Sequence, residues 1–530
     1  MSPVLVAAAK NIRSVMAQTP KSPVWLSVIS GLLLVLSFPK FSIGRLAWIA
    51  LVPFFFALRC SSSRWQAVLC GACFGLTFFG LSLHWFTYVH VAGWFFVTLI
   101  ETLFVVLFVN AVYTGKNFTW PFQILWIALA WMATEFFRSE IPVFGFGWNL
   151  LAYSQSDFPR ILQSANTIGA YGLGFVIAAV NALVFFFLER VRRKSFRSAA
   201  ALLISILCIF ITIFSHGNFH LRAQDAASGT LRVSLLQGNI PQDIKWETVA
   251  RDKILAIYSK LTQLAAYDEP DLIFWPEAAF PGYFNRDVEA EAIRQLVRQI
   301  GITTVIGAPH YENPATAFNS AYVIGPEGEI NGRYDKLFLV PFGEYVPLKP
   351  LFGWLEPFAY SLGVSDFSAG HEFTVFQGLN GELPFSVLIC FENIFPAIAR
   401  TFASRGARFM AIITNDAWFG PTAAPYQHLQ ASIFRAVENG IPMVHVANTG
   451  VSAFISRRGK VLDRVQDMSG KDIFVTGRKT LSLPMETKVT FYRKAGYLFP
   501  YFGVALFILM FFIQELRTRH VFRALTFRYR

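Results

Sequence analysis

Charge is what this chain has least of. Only 15% of its 530 residues are Asp, Glu, Lys or Arg, against about 25% in an ordinary soluble domain. Carboxylates are the scarcer sign and are spread unevenly. Of 33 Asp and Glu, the first 220 positions hold only Glu101, Glu135, Glu140, Asp157 and Glu189. In a chain that is 54% hydrophobic, this excludes a wholly water-soluble fold and indicates an apolar membrane region followed by a water-facing one. Cysteine is sparse too: Cys60, Cys70, Cys73, Cys208 and Cys390. Four lie in or beside apolar segments, and no disulfide framework or metal-ligating set is read from the five. There is no GxGxxG, Walker loop, HExxH or GxSxG, so neither a nucleotide nor a metal or other cofactor is expected.

The net charge of +13 does not indicate nucleic acid. The excess Lys and Arg sit beside apolar segments, between Arg190 and Lys194 and in the tail from Arg517 to Arg530. Topology signals and anionic headgroups account for them there. Apolar runs at roughly 23–38, 45–58, 66–89, 92–114, 121–137, 163–189, 199–215 and 496–514 predict eight spanning helices, each needing about 20 residues. With eight spans, Arg59, Arg64, Lys116, the 190–197 cluster and the tail fall on one side, with the basic N-terminus; Lys40 and Arg45 fall on the other. The basic side is cytoplasmic. The expected organisation is therefore a cytoplasmic start (1–22), a seven-helix bundle (23–220), a domain on the outer face (229–485), a last span (496–514) and a basic cytoplasmic tail (515–530). Within the spans, Glu101 is the candidate for a buried polar contact, and Glu135 reads as reaching the interface. The stretch 145–155, GFGWNLLAYSQ, reads either as an interfacial aromatic belt or as a floor beneath the outer domain.

Residues 229–485 alternate short apolar strands with helical stretches. Strands are predicted at 231–237, 272–275, 303–307, 321–324, 386–389, 409–414, 443–447 and 452–455, and helices at about 247–266, 286–299, 393–404 and 427–438. That pattern is an α/β fold. Three places in it suit chemistry. Glu277 follows the apolar strand DLIFW, where partial desolvation favours a general base; a first-turn helix carboxylate is the plainer reading. Lys336 is followed at once by apolar residues, whereas most lysines are simply solvated. Cys390 ends the apolar run FSVLI, where it is either a small core residue or a rigidly held nucleophile. Taken together they suit thiol-based acyl transfer: Glu277 removes the thiol proton, and Lys336 favours the thiolate and the oxyanion, assisted by the Phe391 backbone N–H.

WPE around Glu277, GRYDK around Lys336, CFEN around Cys390 and ITNDAWFG at 413–420 resemble, in order, the motifs of the nitrilase or carbon–nitrogen hydrolase superfamily. With its flanking spans, nearly the whole chain is similar to that superfamily's membrane-bound branch, the bacterial apolipoprotein N-acyltransferases. The resemblance implies an α-β-β-α sandwich with a Glu277–Lys336–Cys390 triad. It implies an acyl chain passed from a membrane phospholipid, through a thioester on Cys390, to the α-amine of a diacylglyceryl-cysteine on an apolipoprotein. It also implies a location in the bacterial inner membrane with the catalytic domain periplasmic, and a monomer is expected. By the same resemblance Glu344 supports Lys336 or the intermediate, Trp246 contacts substrate, and Glu392 follows the catalytic dipeptide. Trp418 and Phe419 form an aromatic lid, and Phe391 stands where the family usually has Tyr. Two other readings stay open. A membrane-tethered amidase would use the same triad on a small amide, and an inert lipoprotein-binding module would not be acylated at all.

Overall fold

The computed structural model describes residues 23–223, 229–245, 247–314, 316–355, 366–378 and 383–526. Among these, five helices are long and apolar enough to cross a bilayer: Arg64–Ser82, Val91–Asn117, Ala165–Arg192, Phe196–Arg222 and Gly496–Leu516. The other three expected spans are helical but fall short of that standard. Val24–Leu36 has 13 residues, or about 20 Å at 1.5 Å per residue. Val52–Cys60 has only nine. Trp120–Glu140 is long enough, but Gln123, Glu135 and Arg138 interrupt its apolar run.

The bundle packs through rings and small residues. Phe54 stacks on Phe74 at 4.5 Å. A Cβ on Gly75 would lie 2.9 Å from the Thr102 backbone, so only glycine lets these two helices approach so closely. Cys70 and Cys73, on the Gly75 helix, are both free thiols.

Glu101 has a partner that its sequence position does not show. Arg138 reaches its carboxylate at 3.1 Å and also donates to the carbonyls of Phe146 and Trp148, each at 3.0 Å. Glu135 is buried rather than interfacial; it accepts the Leu151 backbone N–H at 2.6 Å. These side chains pin the 145–155 stretch from below. That stretch packs as a floor against the α/β domain: the Trp148 indole donates to Gln427 there at 2.8 Å. Arg138→Leu is expected to destabilise the folded protein by about 3–5 kcal/mol, because it strands a buried carboxylate. Glu101→Gln combined with Arg138→Met should lose much less. Thermal unfolding in detergent measures both.

Among the described residues, the α/β domain holds eleven strands, β1–β11. One sheet runs β11-β1-β2-β3-β4-β5, with β4 at Thr316–Ile324, and the other runs β10-β9-β8-β7-β6, with β9 at Ala453–Ile455. In the first, β1 (Thr230–Gln237), β2 (Leu272–Phe274) and β3 (Thr303–Asn313) are parallel. In the second, β6 (Phe385–Ile389), β7 (Phe409–Thr414) and β8 (Met443–Ala447) are parallel. Their inner faces meet at Phe274, which packs edge-on against Phe385 and Phe409. The period of two turns Ile273 and Trp275 the other way, onto a separate core with Tyr258, Ile293 and Val297 from helices Thr248–Ala266 and Glu289–Ile300. Burial on both faces explains why these strands read as continuous apolar runs. Helices Pro396–Ser404 and Ala424–Asn439 cover the second sheet. The result is the expected four-layer α-β-β-α sandwich.

Three strands escape the sequence reading: β5 (Ile330–Asp335), β10 (Val461–Arg464) and β11 (Gly477–Pro484). All three are polar, half-exposed strands; β5 and β11 are edges of the first sheet and β10 of the second. The Ala424–Asn439 helix is buried almost throughout because the bundle covers its outer side. Its Glu438 accepts the backbone N–H of Ala170 at 2.8 Å. That contact lies at a break in helix Ala165–Arg192 where Gly169 takes φ +68°.

Candidate active site

Glu277, Lys336 and Cys390 come from different strand ends and meet in one cavity of about 210 Å³, which Lys245, Asn319 and Glu344 also line. Glu277 follows β2 and Cys390 follows β6, at carboxyl ends of parallel strands, where α/β sheets place their ligands. Lys336 follows β5, an edge strand.

Glu277 is held on both oxygens. Asn319 Nδ2 donates to Oε1 at 2.8 Å, and the Asn415 backbone N–H donates to Oε2 at 2.8 Å. Lys336 is 1% exposed. Its ammonium lies 2.8 Å from Glu344 Oε2 and 3.5 Å from Glu277 Oε1. Asn319 Nδ2 also donates to Glu344 Oε1 at 2.7 Å. Burial alone would discharge Lys336, but Glu344 and Glu277 outweigh it and hold the ammonium above its ordinary range. Glu344 is thus placed beside Lys336.

Cys390 opens a short 3₁₀ turn, Cys390–Ile394, directly after β6. Its φ is +53°, a strained value for a side chain with a Cβ. Burial and the Glu277 carboxylate push its thiol well above the usual value, and Lys336 opposes them. A thiol held in that way needs a base to react, and the Glu277 carboxylate lines the same cavity. Glu392 is fully buried and ties the turn to the Lys336 loop. It accepts from Ile389 N–H (2.7 Å), Leu337 N–H (2.7 Å), Phe338 N–H (3.2 Å) and the Tyr334 hydroxyl (2.8 Å). In Glu392→Gln an amide NH₂ must face one of these donors. The expected loss is about 1–3 kcal/mol of stability, measured by thermal unfolding.

A second cavity of about 200 Å³ opens from the bundle side, with Phe96, Val97, Ile100, Phe144 and Trp148 among its walls. Cys390 lines both cavities. Phe391 lines the apolar one and stacks on Phe146 at 6.2 Å. Phe419 packs edge-on to Trp85 at 4.6 Å and to Trp148; Trp418 stays half-exposed on the wall of the first cavity. Trp246 lies outside the described residues.

Sequence reasoning missed Lys245. Its ammonium donates to the Glu277 carbonyl at 3.2 Å, and burial pulls it down to about 8 against the pull of Glu277 and Cys390. The only sequence signal was a lysine beside Trp246. It also missed His428, whose Nε2 lies 3.2 Å from the Cys390 carbonyl oxygen.

A thiol, a carboxylate base and a buried ammonium at the strand ends of an α-β-β-α sandwich define a carbon–nitrogen hydrolase-type domain. Residues 232–475 match the carbon–nitrogen hydrolase family, and residues 30–183 match the apolipoprotein N-acyltransferase N-terminal domain. An apolipoprotein N-acyltransferase of Geobacter metallireducens is 34% identical over 83% of this chain and 87% of its own. Those of Chlorobaculum tepidum (28%, over 96% and 99%) and Methylococcus capsulatus (31%, over 82% and 86%) are similar. Among solved structures, an amidase of the nitrilase superfamily from Nesterenkonia aligns with 49% of this chain and 94% of its own, at 22% identity and a TM-score of 0.37. The chain belongs to the apolipoprotein N-acyltransferase family.

Proposed function

We propose that this protein moves an acyl chain from a membrane phospholipid to the α-amine of a diacylglyceryl-cysteine at the N-terminus of an apolipoprotein, with Cys390 as the acyl carrier. The family supports the overall reaction. The observation that carries the residue-level reading is that Cys390 sits where the polar and apolar cavities meet. The apolar one suits a fatty acyl chain, and the polar one supplies the base and the cation.

In the first half, Glu277 takes the Sγ proton as sulfur attacks the ester carbonyl carbon. Lys336 and the Phe391 backbone N–H stabilise the oxyanion. The C–O bond breaks, Glu277 returns the proton to the departing alkoxide, and a lysophospholipid leaves. In the second half, the acceptor amine attacks the thioester, Glu277 receives its proton, and the C–S bond breaks as the thiolate is reprotonated. Apolar walls keep water from the thioester between the halves.

The topology belongs to the same reading. The eight helices are taken as eight membrane passages, three of them shorter or less apolar than the rest. The domain at 229–485 then faces the periplasm of a bacterial inner membrane, and the basic tail stays cytoplasmic. The amidase alternative loses ground to the apolar cavity, which a small amide does not need. Ile100→Trp, narrowing that cavity, is expected to cut transfer from a long-chain donor by about tenfold, the discrimination a methylene or two carries in an apolar pocket. A short-chain donor should be much less affected. Equal loss with both donors would count against the acyl-chain assignment.

A further inference from the structure

Behind the nucleophile lies a buried cluster that the triad does not use. Asp416 follows β7, His445 is on β8, and His428 is in the first turns of the Ala424–Asn439 helix. Potential ligand atoms of the three lie within 4.8 Å of one another. Both nitrogens of His428 are already engaged, and each faces oxygen acceptors. Nδ1 is 3.1 Å from Asp416 Oδ1. Nε2 is 3.2 Å from the Cys390 carbonyl oxygen and 2.9 Å from Asn393 Oδ1. The Asn393 amide cannot be turned to offer a donor there, because its Nδ2 already donates to Ser432 Oγ at 2.8 Å and to the His428 carbonyl at 3.3 Å. Acceptors at both nitrogens are satisfied together only by a ring that donates from both.

The surroundings support a cation at this place. Asp416 is fully buried; burial pushes its carboxyl up, but His428, with help from His445 and the Thr414 hydroxyl, outweighs it and holds the carboxyl below the ordinary value. The Trp148 ring lies 5.3 Å from the His428 ring, at 31°, a geometry that suits a cation over an aromatic face. His445 does not compete for the charge: burial pulls it down to about 3, and its Nδ1 pairs with Ser432 at 2.8 Å. Asp416, His445 and Cys390 are the titratable groups facing His428, from three different elements.

We propose that His428 is a positioning residue, an imidazolium paired with Asp416 that clamps the Cys390 carbonyl, holds the nucleophile at its positive φ and offsets the Asp416 charge behind the thiolate. The clamp also links chemistry to membrane. The neighbouring Gln427 Oε1 receives the indole N–H groups of Trp85 and Trp148, so one helical turn joins the bundle to the nucleophile.

The test is the pH profile of Cys390 alkylation by iodoacetamide in the full-length protein in detergent. In His428→Gln, Asp416 is left uncompensated, and the profile is expected to move up by at least about one pH unit, with kcat for transfer falling at least about tenfold. His428→Gln combined with Asp416→Asn should bring the profile back toward wild type, which a purely structural role would not do. A folded His428→Gln protein whose profile overlays that of wild type overturns the proposal. Should that variant not fold, nitrogen NMR of histidine-labelled wild type decides. An imidazolium signal that persists at pH 9 supports the pair, and none at pH 9 overturns it.

Discussion

Cys390→Ala is expected to lower acyl transfer by at least about 10³-fold while leaving the protein folded. The fold should survive because alanine keeps a Cβ at the same positive φ and removes only a sulfur that borders two cavities. The backbone strain is unchanged and no packed side chain loses its support. The loss is large because every proposed step passes through the Sγ–carbonyl bond. Cys390→Ser should be nearly as inactive: a hydroxyl holds its proton far more tightly than a thiol, and Glu277 is too weak a base for it. Transfer of radiolabelled acyl chains to a diacylated lipopeptide measures both. Substantial turnover by the alanine protein would move the acyl carrier elsewhere.

Lys336→Met is expected to have the next largest effect, for a different reason. Lys336 stands between Glu277 and Glu344, within 3.5 Å and 2.8 Å. Removing the ammonium leaves two carboxylates sharing the Asn319 amide in a buried site. Like charges so placed cannot both ionise, so one takes up a proton. A protonated Glu277 is no base. The expected result is at least about 10²-fold lower transfer, the scale of one lost oxyanion donor. What remains should show its acidic limb displaced to higher pH, because ionising Glu277 then works against Glu344. Lys336→Met with Glu344→Gln should bring the limb back down without restoring the rate, since the neutral amide removes the repulsion but not the missing cation. A pH–rate profile of the three proteins separates the electrostatic effect from the loss of the oxyanion contact.

Much of this site was legible because its residues end apolar strands. Glu277 and Cys390 stand out where FW and LI give way to polar residues, and strands buried on both faces are the easiest to read. Lys336 was legible from the apolar residues that follow it and from its motif, because β5 itself is a half-exposed edge strand with no apolar signature. The apolar run 121–137 stops just short of Arg138, so the partner of Glu101 lay outside the predicted span. The Glu101–Arg138 pair joins positions 37 apart, and only the packing of two helices brings them together. Lys245 and His428 were invisible for the same reason. A lysine in a loop and a histidine on a helix acquire meaning from what faces them, and sequence shows only what is beside them. The positive φ of Cys390 left no trace, because no glycine marks it.

The most direct test of the central claim is the intact mass of the purified protein after incubation with phospholipid alone, and again after adding a diacylated lipopeptide. The account predicts one added acyl chain on the wild-type protein, released by hydroxylamine and lost to the lipopeptide, with no adduct on Cys390→Ala. A folded, active wild-type protein that never carries an acyl chain, or an adduct equally present on Cys390→Ala, would contradict it.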